Sequence, residues 1–442
     1  MKRIRTIIMG AAGRDFHNFN VCFRENPQFR VIAFTAAQIP YVANRRYPPS
    51  LSGKLYPRGI PIFPEGELED LMYKHRIQHV VFSYSDISYQ ALMHIASRVL
   101  AHGADFSLIG PDATMLKSRR PVISVSAVRT GCGKSEVTRY LADILKAQGI
   151  KPIVIRHPMP YGNLTVQEVE RFEQLEDLAL HRCTIEEREE FEPLLQHNIV
   201  VYAGVDYEKI IRRAEREGEV IIWDGGNNDV PFIRANLEIT VADPLRVGDE
   251  VAFYPGEVNL RRAAAVVINK CNTAPAASVE QLKKTIVAIN PDAVVIKTAS
   301  EISVADPAAV SGKNVLVIED GPTITHGNMP SGAGLIAALQ NGAAQVIDPR
   351  SYAVGSLADI YRTYPHIGPV LPAMGYRPEQ VEELRQTVAA VPCDLVLIAT
   401  PIDLSRITPI VHPVLHVRYD IAEEPHFPLK ALMTRFIATA CK

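Results

Sequence analysis

The sequence predicts an α/β protein with mainly parallel sheets. Short apolar runs alternate with longer amphipathic stretches along the whole chain, the pattern of repeated βαβ units. A glycine-rich turn, Gly131-Cys-Gly-Lys-Ser135, follows one such run and opens a helical stretch. The chain has 442 residues, too many for one ordinary core, so two or three domains are expected.

Composition narrows the class. The chain is 47% hydrophobic and 22% charged, as ordinary globular proteins are. Its formal net charge of -2 supplies no basic field for nucleic acid or an anionic membrane, so neither is an expected partner. No apolar run reaches the roughly 18 residues that span a bilayer. The basic start, Met1–Gly10, runs through a short apolar stretch straight into Gly10-Ala-Ala-Gly13, and reads as a first strand rather than a signal peptide. The six cysteines are scattered without a Cys-x-x-Cys pair, which argues against a zinc knuckle or a disulfide framework. Cys132 inside the glycine-rich turn suits a reducing compartment, and a cytoplasmic location is expected.

In chain order, strands are expected at Thr6–Met9, Val31–Thr35, His79–Ser83 and Phe106–Ile109, with a helix at Ser88–His102. The proline-rich stretch Tyr47–Pro64 is expected to be a loop. Residues 1–118 thus read as a Rossmann-like domain, followed by a polar hinge at Lys117–Pro121. Residues 119–330 open with a strand at Val122–Ala127. A helix at Ser135–Gln148 ends at Gly149, a C-cap residue. Further strands are expected at Ile153–Arg156, Ile199–Ala203, Val220–Asp224, Ile239–Ala242, Ala265–Asn269, Ala293–Lys297 and Val315–Glu319. Residues 331–442 continue as an α/β extension with strands at Ala344–Ile347, Pro369–Leu371, Leu395–Ala399 and Val414–Tyr419. The glutamate-rich run Glu186–Glu192 reads as an exposed helix face, and Trp223 as core.

Strand, glycine turn and helix together make a phosphate loop. Inward backbone N–H groups and the positive end of a helix suit a triphosphate, and glycines permit the turns. The loop residues Thr130, Gly131, Cys132, Gly133, Lys134 and Ser135 are the nucleotide cradle, with Lys134 on the β/γ-phosphates and the Ser135 hydroxyl on Mg²⁺. The usual first glycine of the motif is replaced by Val128. Asp224 ends an apolar strand before Gly225-Gly226 and is the second expected metal partner. Val266-Val-Ile-Asn269-Lys270-Cys-Asn272 places Asn269 and Lys270 where guanine-binding loops carry Asn-Lys-x-Asp. Here Asn272 stands in the carboxylate's place, which leaves ATP or GTP open.

Together with Trp223-Asp-Gly-Gly-Asn-Asn-Asp229 and Glu319-Asp-Gly-Pro-Thr-Ile-Thr-His-Gly327, these segments resemble the cyclic 2,3-diphosphoglycerate synthetase-like proteins, also described as predicted GTPases. The phosphate-loop segment is similar to the branch holding dethiobiotin synthetase and the MinD-like ATPases. There a signature lysine stands early in the loop, and Arg129 occupies that position here. The resemblance implies Mg²⁺- and ATP-driven closure of 2,3-diphosphoglycerate into an intramolecular anhydride, through an activated phosphate, with ADP and phosphate released.

Such chemistry needs cations and positioning more than acid–base groups. Lys134, Asp224 and Arg156 are the expected catalytic groups. Arg14, His17, Arg156, His157, Thr323, Thr325 and His326 are the expected contacts to a small anionic phosphorylated substrate, because each follows a strand where α/β ligands bind. Gly10 and Gly13 do not complete a dinucleotide fingerprint, so no nicotinamide cofactor is expected. The alternative function is a regulatory or chaperone-type GTPase, supported by Asn269-Lys270. A symmetric homodimer is what general frequencies for soluble enzymes favour.

Overall fold

The computed structural model describes residues 3–11, 13–37, 43–157, 159, 162–325, 327–375, 377–423 and 428–441. It contains two large sheets. The first gathers β1 (Ile4–Met9), β2 (Phe29–Ala36), β3 (Arg46–Tyr47), β4 (Ile60–Pro64) and β5 (His79–Phe82). The short β6 (Ile87–Ser88) leaves it, and β7 (Asp105–Leu108) completes it in the order β3-β4-β2-β1-β5-β7. Tyr47–Pro64 is therefore not the loop expected from its prolines. Pro49 starts a short helix, Pro49–Ser52, and β4 carries Pro61 and Pro64 near the sheet edge, where a missing N–H is tolerated.

The second sheet begins with β8 (Val122–Ala127), β9 (Pro152–Arg156), β10 (Glu170–Phe172), β11 (Val200–Ala203), β12 (Val220–Asp224) and β13 (Leu237–Ala242). A two-residue strand, β14 (Phe253–Tyr254), stands apart from it and pairs antiparallel with β6. The sheet continues through β15 (Ala265–Ile268), β16 (Val294–Val304), β17 (Asn314–Asp320), β18 (Gln345–Val346), β19 (Leu371–Ala373), β20 (Leu395–Ala399) and β21 (Val414–Glu423). The strand order is β10-β11-β9-β12-β8-β13-β15-β16-β21-β20-β17-β18, with β19 beside β17. The sheet crosses from the central segment into the C-terminal one because β16 runs on to Val304, past the Lys297 expected from sequence. Its second half pairs antiparallel with β21.

β8 is wholly buried between β12 and β13, as a central parallel strand must be. The following helix, Lys134–Ala147, drops Val137, Leu141 and Leu145 onto it, an i, i+4 apolar stripe. Gly149 adopts the left-handed conformation just beyond that helix, the C-terminal stop expected from its sequence. Trp223 is fully buried, packed on Phe232. The glutamate-rich helix, Ile185–Gln196, departs from expectation. Glu187, Glu189 and Glu192 are buried on a face that the charge pattern assigns to water: Glu187 meets Gln167 and Thr184, while Glu189 meets Thr400 and Glu192 faces Arg406, both from the segment after β20. Among the described residues no helix is long and apolar enough to cross a membrane.

Candidate active site

The phosphate loop leaves the carboxyl end of β8, and Gly131 and Gly133 take φ values of 81° and 98°. A Cβ on Gly133 would lie 2.2 Å from the Asn269 side-chain nitrogen, so only glycine fits. Asn269 is fully buried and donates to the Cys132 carbonyl (3.3 Å). Lys270 donates to the Gly131 carbonyl (2.6 Å) and to Asp243 (2.9 Å). Arg246 donates to the Thr130 carbonyl (2.8 Å) and the Gly327 carbonyl (2.7 Å). Burial works against Asp243's charge, yet Lys270 and Arg246 hold its carboxyl below the ordinary range. These groups brace the loop from behind and leave its inner N–H groups for a ligand. Asn269 and Lys270, expected at the base, thus act on the loop itself. Asn272 is tied at both ends to the Ser300 backbone, at 3.0 and 2.9 Å. Val128, in place of the motif's first glycine, is core.

Lys134 and Ser135 face one cavity of about 300 Å³. Burial lowers the Lys134 ammonium's pKa despite nearby Asp224, so arriving phosphates would relieve a desolvated cation. Asp224 ends β12 and is fully buried. One of its oxygens meets Arg156, and the other finds no hydrogen-bond partner among the described residues. Arg156 is also ion-paired to Glu190 and lies only 1% exposed, outside the cavity lining. The free phosphate-binding guanidinium expected there is instead clamped between two carboxylates. His157 does line the cavity, against Gly226. Burial first, then Arg156 and Lys134, hold its imidazole down to about 3, so it meets a ligand neutral.

Residues attached to the first sheet reach into the same cavity. Asp86, in left-handed conformation, accepts from the Thr130 hydroxyl (2.5 Å) and N–H (3.4 Å). It also pairs with Arg129 (2.6 Å), which pairs in turn with Asp249 (2.6 Å) and covers the Phe253 ring. Arg129 is therefore engaged behind the loop. Arg14 lines the cavity while paired to Asp229 (2.7 Å). His17 is elsewhere: it stacks on Phe232 at 4.2 Å, and its Nε2 contacts the Thr114 carbonyl at 2.8 Å.

A helix and the end of one strand close the remaining side with carboxyls. Glu186, Glu189 and Glu190 come from the helix Ile185–Gln196, and Glu319 and Asp320 from the end of β17. Glu319 accepts backbone N–H bonds from Gly332, Gly334 and Leu335 (2.9–3.2 Å), yet burial raises it to about 7. Thr323 joins this wall to the phosphate loop. Its hydroxyl donates to Asp320, and its Cγ2 lies 3.2 Å from where a Cβ on Gly131 would be. Thr325 turns away, bonded to the Gly321 carbonyl (2.8 Å), and His326 lies outside the described residues. Sequence reasoning does not find Asp86, Asp243, Arg246 or the part of the wall from Glu186, Glu189 and Glu190, although Glu319 and Asp320 stand in a segment that carries the resemblance. The signal for the rest is the density of glutamates at 186–192, which local periodicity alone assigns to solvent.

No family model matches the chain. It is 52% identical over 432 residues to the arginine synthetase ArcE of Thermococcus kodakarensis, covering 98% of this chain and 96% of that protein. It is 23% identical over 261 residues to a cyclic 2,3-diphosphoglycerate synthetase of Thermococcus sibiricus, covering 53% of this chain and 58% of that one. A cyclic 2,3-diphosphoglycerate synthetase of Rubrobacter xylanophilus is 24% identical over 272 residues, or 54% and 61% of the two chains. Among solved structures, LpxK from Aquifex aeolicus in complex with ATP aligns at a TM-score of 0.47 and 15% identity, covering 83% of this chain and 99% of that one. That likeness is too loose to bear on chemistry.

Proposed function

The chain belongs to the family of the arginine synthetase ArcE, as an NTP-dependent ligase-type enzyme, and from that premise we propose that it forms arginine by joining nitrogen to an NTP-activated carbon. The observation that carries this reading is the composition of this cavity. A phosphate cradle around Lys134 shares it with a carboxyl wall at Glu186, Glu189, Glu319 and Asp320, beside Glu190, which Arg156 engages. The cradle suits a triphosphate, and the wall suits the cationic groups of an amino acid. The same wall presents carboxyls rather than cations to an acceptor, a poor match for 2,3-diphosphoglycerate, the acceptor implied by the sequence resemblance. Asn272, tied to Ser300, has no free amide edge for guanine, which supports ATP as the nucleotide.

In this reading the acceptor is citrulline, the ureido counterpart of arginine. Its ureido oxygen attacks the γ-phosphorus, the β–γ bridging bond breaks, and ADP leaves. A nitrogen nucleophile then adds to the activated carbon, and the carbon–oxygen bond breaks to release phosphate. Lys134 neutralises charge on the transferring group, and the loop N–H groups hold the diphosphate. Neutral His157 beside Gly226 is a hydrogen-bonding neighbour and not a competing cation. The residues present also fit Mg²⁺, since Asp224 keeps one oxygen unpartnered and Ser135 faces the cavity. A bound Mg²⁺ would supply charge neutralisation on the phosphates through these two groups.

The test is incubation of purified full-length protein with Mg²⁺, ATP or GTP, citrulline and an ammonium salt, with chromatographic detection of arginine and ADP. Equal amounts of arginine and ADP are expected, with ATP preferred. ADP formation stimulated by 2,3-diphosphoglycerate, with no arginine, would overturn this reading in favour of the cyclising one.

A further inference from the structure

The helix that leaves the phosphate loop, Lys134–Ala147, brings a second cation to the cavity. Arg139 follows Ser135 by four residues, so both project from one helix face, with their Cβ atoms about 5–6 Å apart. Arg139 is 8% exposed. Its Nη2 donates to the Tyr419 carbonyl (3.1 Å) and to Asp420 (3.2 Å), whose side chain is 68% exposed. An ion pair with so exposed a carboxylate contributes little. Nη1 and Nε make no hydrogen bond among the described residues, so most of the guanidinium's N–H donors are unspent. The buried carboxyl of Glu136, on the preceding turn, is held by the Ser300 hydroxyl (2.8 Å) and by Asn269. Burial raises its pKa although Arg139 opposes the shift. A nearly buried cation without a buried counter-charge is costly, and a ligand that brings an anion relieves it.

We propose that Arg139 binds the carboxylate of the acceptor, as a specificity-determining residue one helical turn from the phosphate site. A planar fork of N–H donors matches a carboxylate bidentately, and that geometry selects a carboxylate over an amide or a hydroxyl. Tyr419, bonded to Arg139 through its carbonyl, also lines the cavity. Burial, and then Asp320, keep its phenol in the neutral donor form. The long antiparallel pairing of β21 with β16 places this corner, with Tyr419 opposite Ile302, another cavity residue. Glu189, Asp320 and Glu319 do not oppose an arriving carboxylate as full charges, since burial raises the pKa of each. In the ligase reading the carboxylate is citrulline's own. The methylene chain of that amino acid lets its ureido oxygen reach the γ-phosphoryl group while the carboxylate stays on Arg139. The identity of the acceptor rests on that reading, and the subsite itself does not, because 2,3-diphosphoglycerate carries a carboxylate as well.

The experiment is calorimetric titration of the full-length protein, with Mg²⁺ and a non-hydrolysable ATP analogue. The probes are L-citrulline, L-citrulline α-amide and 2,3-diphosphoglycerate, and Arg139→Gln is titrated alongside. Wild-type protein is expected to bind citrulline at least tenfold tighter than its amide. Arg139→Gln is expected to weaken citrulline at least tenfold, with the amide and the ATP analogue within twofold of wild type. In turnover the variant should raise the KM for citrulline and change kcat little. A purely structural role would weaken acid and amide alike, and that result overturns the proposal. Arginine formation by the variant with the wild-type preference for acid over amide overturns it too, and keeps the ligase reading. Should wild-type protein make no arginine and bind only 2,3-diphosphoglycerate, a tenfold weakening of that binding in Arg139→Gln keeps the subsite and removes the arginine reading. Binding of neither acid, or equal binding by wild type and variant, overturns the subsite. Should Arg139→Gln fail to fold, Arg139→Lys keeps the charge and loses the fork. A severalfold smaller acid-to-amide preference is then expected, and the full wild-type preference would overturn the proposal.

Discussion

The two sides of the cavity are built on opposite electrostatic plans. On the phosphate-loop side the bracing cations are already engaged by protein: Lys270 and Arg246 by Asp243, Arg129 by Asp86 and Asp249, Arg156 by Asp224 and Glu190. The charges there fix the loop's shape, and the ligand meets backbone N–H groups and Lys134. On the carboxylate side the acids are held by hydroxyls, by backbone N–H groups and, for Glu189 and Asp320, by each other. One side is preorganised for a ligand of known shape, the triphosphate. The other gathers carboxyls that burial biases toward their protonated form. Preorganisation of the first kind lowers the reorganisation needed during reaction, and desolvated carboxyls of the second kind confer selectivity.

Removing Lys134 should break the comparison most completely. Lys134→Ala is expected to reduce nucleotide turnover by at least about a thousandfold, the scale of losing a principal electrostatic stabiliser. Wild-type phosphate release by the variant would move the cradle elsewhere.

Arg156 sharpens the contrast, because the structure gives it a different task from the one expected from sequence. Arg156→Ala leaves Asp224 and Glu190 without their shared cation, a change of about 3–5 kcal/mol when a buried pair is broken. A clear drop in melting temperature, with both turnover and acceptor use lost together, is expected. A stable variant with acceptor binding alone impaired would restore Arg156 to the acceptor site.

The smallest effect concerns pH, and it has opposite signs on the two sides. His157 is depressed from 6.5 to about 3, so its neutral form adds stability that is present above pH 6.5 and lost as pH falls toward 3. Glu319 is raised from 4.5 to about 7, so its contribution is present below pH 4.5 and lost as pH rises through 7. His157→Gln should therefore flatten the decline of melting temperature between pH 6.5 and 4 and leave the alkaline limb unchanged. A variant with the wild-type acid limb would show that His157 does not remain neutral in the fold.

Much of the frame is legible in the amino-acid sequence. Val122–Ala127, Val220–Asp224 and Leu395–Ala399 match the observed strands residue for residue, because fully buried parallel strands are continuous apolar runs bounded by turn residues. The loop from Gly131 to Ser135 is equally plain, since its backbone geometry demands glycine at fixed places. Less legible is Tyr47–Pro64, where edge strands too short to show alternation carry proline.

The sequence by itself determined where phosphate is held: a strand, two glycines, a lysine and a helix start are neighbours in the chain, and local geometry completes them. Only the tertiary structure decided what faces that cradle. Asp86 comes from another sheet, and Glu189 meets Asp320 across 131 positions of chain because β16 and β21 join the C-terminal strands to the central sheet. Local periodicity assigns Glu189 to water, yet it is buried. The meeting of these acids arises from packing between segments distant in sequence, which no local pattern encodes.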